Sequence, residues 1–189
     1  MKFLKNLTIS IYVTFLIYYI YLQIKFKQYI KLIEAVASIL ILFGPLIIRK
    51  IFKIKLKEYI RTIYYVFFLL AFVIGFIYGF YYKTLYYDLL IHFLFGLLVS
   101  IILNDYLKIP NKILKNIIIF SIALSLNTCW ELLEFSSDII FKTDHQQKIS
   151  GATDTMTDLL ACTFGSLTYL VIHKIKRLFL KKQKHIIKT

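Results

Sequence analysis

Six long stretches of almost uninterrupted apolar residues dominate this 189-residue chain and limit what it can fold into. They run over residues 7–24, 29–48, 62–82, 87–105, 113–136 and 152–173. A helix needs about 20 such residues to cross the hydrocarbon core of a bilayer, whereas membrane β-strands alternate apolar and polar residues. The pattern therefore predicts an all-α, polytopic membrane helix bundle with about six transmembrane helices, in which residues 1–189 form a single transmembrane domain.

The basic residues are distributed unevenly between the two sides that six spans would create. Most of the 24 Lys and Arg residues lie on one side. They occur before span one, between spans two and three, between spans four and five, and after span six. Cytoplasmic segments carry such an excess, so both termini are predicted to be cytoplasmic, with residues 174–189 as a basic tail. Membrane lipids, and anionic lipid at the cytoplasmic face, are the expected partners. Nucleic-acid binding is not expected, because the basic residues lie at helix ends rather than in a stripe with interleaved aromatic residues.

The ten acidic residues show the opposite distribution. Under the predicted topology all of them except Glu58 and Asp105 lie in the outer halves of spans or in outer loops. Spans four and six run inward and span five runs outward, so the acidic ends of three helices should meet at one level. Residues spaced i,i+3 or i,i+4 lie about 5–6 Å apart on one helix face. The predicted polar pocket near the outer face consists of Asp88, His92, Asn127, Glu131, Glu134, Asp138, Asp154 and Asp158.

Ionised side chains inside a membrane need compensation, because each costs about 2.5–3.5 kcal/mol at the centre of a helix on an insertion scale. A bound divalent cation, shared protons or a water-filled cavity could supply it. An oxygen-rich ligand set with one imidazole suits Mg²⁺, Mn²⁺, Ca²⁺ or Zn²⁺. The candidate metal ligands are Asp88, His92, Glu131, Glu134, Asp154 and Asp158. The structural alternative is that the same groups hydrogen-bond between helices and hold their register.

Three functions remain open at this point. As an enzyme, the protein would act on a lipid or a cell-envelope precursor, with a metal that polarises a phosphoryl or carbonyl oxygen and with Glu131 or Asp158 as the catalytic base. As a proton- or cation-coupled transporter, it would need polar residues along the inner halves of the same helices, which we interpret as plain Ile, Leu and Phe. The third possibility is a structural or accessory membrane subunit without catalysis.

Three sequence motifs contain the candidate acidic residues. Residues 87–96 are Y-D-L-L-I-H-F-L-F-G, residues 130–134 are W-E-L-L-E, and residues 151–158 are G-A-T-D-T-M-T-D. In this order they resemble the YjdF-type family of uncharacterised bacterial inner-membrane proteins, and the resemblance covers residues 87–166. It implies a multi-pass protein of the bacterial cytoplasmic membrane whose polar positions are the six candidate ligands, and it implies no particular reaction. Asp88, His92, Asp158 and Gly165 are also similar, more distantly, to positions of VanZ-like proteins.

Overall fold

Helices make up almost the whole computed structural model, which describes residues 1–84, 86–146 and 151–186. Of the described residues, 86% are helical and none forms a strand, which confirms the all-α prediction. The helices are α1 (Lys2–Lys25), α2 (Tyr29–Leu42), α3 (Gly44–Phe52), α4 (Glu58–Phe68), α5 (Phe80–Lys83), α6 (Tyr87–Tyr106), α7 (Lys112–Phe141) and α8 (Ala152–Ile186). A π-helical segment, Leu69–Ile77, continues α4.

The long helices follow the apolar stretches of the sequence. Within the described residues, five helices are long and apolar enough to cross a membrane, or six when the bent pair α2 and α3 counts as one span. This finding confirms a polytopic, multi-pass membrane architecture. Helix α8 does not stop at the predicted end of span six but continues through the basic tail to Ile186. Residues 147–150, which connect predicted spans five and six and include Lys148, and residues 187–189 of the predicted basic tail lie outside the described residues.

The bend between α2 and α3 has a local cause. Pro45 has no amide hydrogen, so it cannot donate to the carbonyl of Ile41, four residues earlier. The Tyr64 hydroxyl donates to that carbonyl at 2.8 Å, and the Tyr65 hydroxyl donates to the carbonyl of Leu42 at 3.1 Å. These bonds satisfy backbone groups that a membrane cannot hydrate, and the helix axis turns by 56° at this point.

The chain forms two compact units, Met1–Ile91 and His92–Thr189. The first unit has an apolar core of Tyr12, Leu16, Tyr19, Ala35 and Val73. Phe72 packs against this core, with its ring centroid 5.5 Å from that of Tyr12. This interior depends on side-chain packing and dispersion contacts.

In the second unit, helix α8 and the part of α6 that begins at His92 approach each other through their backbones. A side chain at Gly96 would collide with the carbonyl oxygen of Cys162, and one at Gly165 would collide with the carbonyl oxygen of Phe93. Small residues permit such close helix contacts in membranes. The two helices run in the same direction, because Gly96 lies against Cys162 and, further along both helices, Ser100 bonds to Ser166.

Helix α7 runs antiparallel to α6. Its first residue follows Asn111, whose side-chain oxygen accepts from the backbone nitrogens of Ile113 at 3.0 Å and Leu114 at 3.1 Å. Such capping fixes the start of a helix. Lys115, in the first turn after this cap, donates to the carbonyl of Asn104 near the end of α6 at 2.7 Å. The far half of α7 therefore lies level with the beginning of α6, as the sequence predicted for spans four and five.

Candidate functional site

A group of ionisable and amide side chains is buried inside the second unit. His92 lies on the second turn of α6, Asn127 and Glu131 are one turn apart on α7, and Asp158 is on the second turn of α8. Their exposed fractions are 4% for His92, 1% for Asn127, 3% for Glu131 and 1% for Asp158. We call these four residues, together with Asp88, the buried cluster.

Asn127 fixes the orientation of the imidazole. Its side-chain nitrogen points to the backbone carbonyl of Asp158 at 3.5 Å, and its oxygen lies 2.7 Å from Nδ1 of His92. A carbonyl can only accept, so this amide orientation requires Nδ1 of His92 to carry the hydrogen that it donates to Asn127. The other ring nitrogen, Nε2, is then the one that a metal ion or an added proton would occupy.

The Nε2 atom of His92 faces two carboxylates. It lies 3.6 Å from Oε1 of Glu131 and 3.9 Å from Oδ2 of Asp158. Both distances exceed the roughly 2.7–3.2 Å of a hydrogen bond from nitrogen to oxygen. Two ligands bound at about 2.0–2.4 Å to one ion lie about 3.0–3.9 Å apart, so the spacing fits atoms arranged around a cation.

Asp88 adds a third carboxylate to the same region. It precedes His92 by one turn on α6 and is 9% exposed. One ligand atom each from Asp88, His92 and Asp158 lies within 4.8 Å of the others. The chain therefore contains a buried acidic and histidine group with the composition and spacing to hold a metal ion.

Three further residues of the predicted pocket make other contacts. Glu134 accepts a hydrogen bond from Nε1 of Trp130 at 2.8 Å, on an exposed part of α7. Asp138 accepts hydrogen bonds from the Thr143 hydroxyl at 2.6 Å and from the backbone nitrogens of His145 and Gln146 at 2.9 and 3.0 Å. These bonds hold the segment after α7 against the last turns of that helix. Asp154, in the first turn of α8, is partly exposed, and its backbone carbonyl accepts from the Thr157 hydroxyl at 2.9 Å.

The sequence reasoning missed a row of polar contacts between α6 and α8. Ser100 and Ser166 share a hydrogen bond of 2.8 Å, and the Asn104 side chain donates to the Tyr169 hydroxyl at 3.0 Å. We call these four residues the polar ladder. They show that the interpretation of the inner helix halves as plain Ile, Leu and Phe was wrong. The available signal was the spacing of His92, Gly96, Ser100 and Asn104, which recur every four residues on one face of α6.

Comparison with known proteins gave one family. A family model described as "Predicted membrane protein (DUF2238)" matches residues 6–177, which is nearly the whole chain and includes every residue of the buried cluster. The match confirms the resemblance to the YjdF-type family. Searches of the curated proteins and of the solved structures gave no match. The more distant similarity to VanZ-like proteins stays a prediction.

Proposed function

Since the chain belongs to the DUF2238 family of predicted membrane proteins, we propose that it is an integral membrane protein that binds a divalent cation at the buried cluster. The observation that carries this proposal is the geometry around His92. Its Nδ1 is held by Asn127 at 2.7 Å, while its Nε2 faces the carboxylates of Glu131 and Asp158. A neutral imidazole in this tautomer directs its lone pair toward two acids, an arrangement that a cation between them would stabilise.

The local charge balance supports the same conclusion. Helix α6 contains no Lys or Arg, and residues 116–141 of α7 and 152–173 of α8 contain none either. The acids Asp88, Glu131 and Asp158 therefore lie on helix segments that contain no basic residue. Ionised groups in a membrane interior otherwise pair with one another or face water. A divalent cation held by these acids would offset two negative charges directly.

The ligand types restrict the cation. Two carboxylates, of Asp88 and Asp158, and the imidazole of His92 have ligand spacing and form a mixed oxygen and nitrogen set. Zn²⁺ and Mn²⁺ accept imidazole and carboxylate together, whereas Mg²⁺ and Ca²⁺ prefer oxygen alone. We therefore expect Zn²⁺ or Mn²⁺ to bind more tightly than Mg²⁺ or Ca²⁺.

The same site supports a catalytic role near the outer face of a bacterial cytoplasmic membrane. A cation held by Asp88, His92 and Asp158 would polarise a phosphoryl or carbonyl oxygen of a lipid or an envelope precursor. In this arrangement Glu131 does not bind the ion and would act as the base. If Glu131 replaces Asp158 as a ligand, Asp158 would be the base instead. Glu134, Asp138 and Asp154 would shape the approach to the site rather than bind the ion.

The test is metal analysis of the full chain purified in detergent, followed by titration calorimetry with Zn²⁺ and Mn²⁺. We expect one ion per chain, and we expect Asp158→Asn and His92→Gln to abolish stoichiometric binding. Glu134→Gln and Asp154→Asn are matched controls, because they remove an acid one turn away on the same helices. Wild-type protein that binds neither ion, or equal loss in the controls, would refute the proposal.

A second function, proton-coupled transport, has one specific observation in its favour. The polar ladder continues beyond the buried cluster along α6 and α8, through hydrogen-bonding groups at Ser100, Ser166, Asn104 and Tyr169. Proton transfer through it predicts that protein in liposomes dissipates a pH gradient and that Asn104→Leu blocks the flux. A structural role for the ladder predicts no flux in either protein and a loss of thermal stability in the variant.

A further inference from the structure

A second feature of the second unit lies at the opposite end of α7 and α8 from the buried cluster. It is a cavity of about 140 Å³ between the first turns of α7 and the later turns of α8, which we call the basic groove. At 1.5 Å per residue, Arg177 lies about 28 Å along α8 from Asp158. The residues that define the groove are Lys112, Ile113 and Asn116 on α7 and His173, Lys174 and Arg177 on α8.

The groove is strongly cationic. Lys112, Lys174 and Arg177 supply three positive charges, and its lining residues include no Asp or Glu. The start of α7 adds the partial positive charge of a helix N-terminus. One carboxylate, Asp105, lies near enough to His173 to act on it electrostatically, so a net positive charge remains.

Arg177 gives a second, independent indication of a ligand. Its Nε atom is buried, and it makes no hydrogen bond within the part of the chain that the structure describes. A buried guanidinium donor without an acceptor is costly, and a phosphate oxygen is one of the two acceptors, with carboxylate, whose geometry matches an Arg side chain.

We propose that the basic groove binds the phosphate headgroup of an anionic phospholipid. The groove has an apolar wall beside its cations, since Ile113 is 74% exposed and Leu170 lines the same cavity. A lipid would place its phosphate on Lys174 and Arg177 and its acyl chain along Ile113. The cavity volume of about 140 Å³ corresponds to between four and five water molecules at about 30 Å³ each, which leaves room for a phosphate group.

The charge pattern favours a lipid over a soluble anion. The groove lies at the lysine-rich end of its helices, which the sequence predicts to be cytoplasmic. Anionic lipids are concentrated in that leaflet, and basic pockets between transmembrane helices bind their headgroups. This binding is independent of the cation at the buried cluster, so either proposal can fail alone.

The experiment measures lipid binding to the detergent-purified full chain by native mass spectrometry. Phosphatidylglycerol and phosphatidylcholine of the same chain length are compared, with inorganic phosphate as a third arm. We expect phosphatidylglycerol to bind at least tenfold more tightly than phosphatidylcholine, and Arg177→Gln to weaken it about tenfold. Lys176→Gln is the matched control, because Lys176 is an exposed cation next to Arg177 that does not line the groove.

Three results would overturn the proposal. Equal affinity for the two lipids would mean that headgroup charge is not recognised. An equal effect of Lys176→Gln and Arg177→Gln would mean that general surface charge, rather than the groove, attracts lipid. Inorganic phosphate that binds as tightly as the lipid would mean that the acyl chain contributes nothing. If Arg177→Gln fails to fold, Lys174→Gln, at an exposed position, gives the same comparison.

Discussion

The two units of this chain differ in the side chains that they bury. The first unit, Met1–Ile91, is packed by aromatic and aliphatic side chains such as Tyr12, Tyr19 and Phe72. The buried polar residues on α1, α2 and α4 are hydroxyls and amides, for example Ser38, Thr62 and Gln23. The second unit buries His92, Glu131 and Asp158, and its helices approach through glycine.

This difference separates what supports the fold from what supports a function. An apolar interior in a membrane gains stability from packing, and many side-chain combinations can provide it. A buried group of acids around an imidazole gains little from packing and costs free energy unless it is compensated. The second unit therefore carries chemistry that the fold alone does not require.

The largest expected effect concerns how the helices approach each other. Gly165→Ala should destabilise the protein by about 3 kcal/mol, because the new side chain meets the backbone carbonyl of Phe93. Gly75→Ala in the first unit should cost only about 1 kcal/mol, because its new side chain meets the ring of Tyr81, which can rotate. Thermal unfolding in detergent measures both. Equal losses would erase the distinction between backbone and side-chain packing.

The next effect separates cation binding from stability. Zn²⁺ or Mn²⁺ at 100 times its dissociation constant should stabilise the wild-type protein by about 2.7 kcal/mol. Asp158→Asn should lose this increment because the cation loses a ligand. Leu16→Ala, which creates a cavity in the core of the first unit, should lower the melting temperature but keep the stabilisation by the cation. A cation response that persists in Asp158→Asn would assign binding to another place.

A smaller effect is expected at the residue that orients the imidazole. Asn127→Ala removes the acceptor for Nδ1 of His92, and loss of such a supporting contact weakens metal affinity by about 10–100-fold. Asn104→Ala is the control, since Asn104 bonds to Tyr169 in the polar ladder and lies outside the buried cluster. Calorimetric affinities for the two variants test this, and identical affinities would show that Asn127 does not position His92.

The smallest effect belongs to the polar ladder. The hydrogen bond between Ser100 and Ser166 should show a coupling of about 0.6 kcal/mol, the average for such bonds between membrane helices. A double-mutant cycle with Ser100→Ala and Ser166→Ala in detergent or bicelles measures it. Coupling that changes when the buried cluster is loaded with Zn²⁺ would show that ladder and cluster are linked.

Much of the fold followed from local patterns. The number of long helices, the directions of α6, α7 and α8, and the gathering of acids at one end of these helices all depend on hydropathy and charge along the chain. The candidate site was predictable in part. His92 and Asp158 belong to the group with ligand spacing, whereas Glu134 lies against Trp130 on an exposed part of α7. No sequence pattern distinguishes Glu131 from Glu134, because residues three apart share a helix face.

The sequence by itself determined that the chain forms membrane helices and that three of them bring acids to one level, since apolar length and charge position are properties of single segments. Only the tertiary structure decided which acids meet. The rotation of each helix about its axis depends on its neighbours, and the contacts of Gly96 and Gly165 set that rotation for α6 and α8. This rotation turns His92 and Asp158 toward each other. Contact between residues so far apart in the sequence cannot be derived from either helix alone.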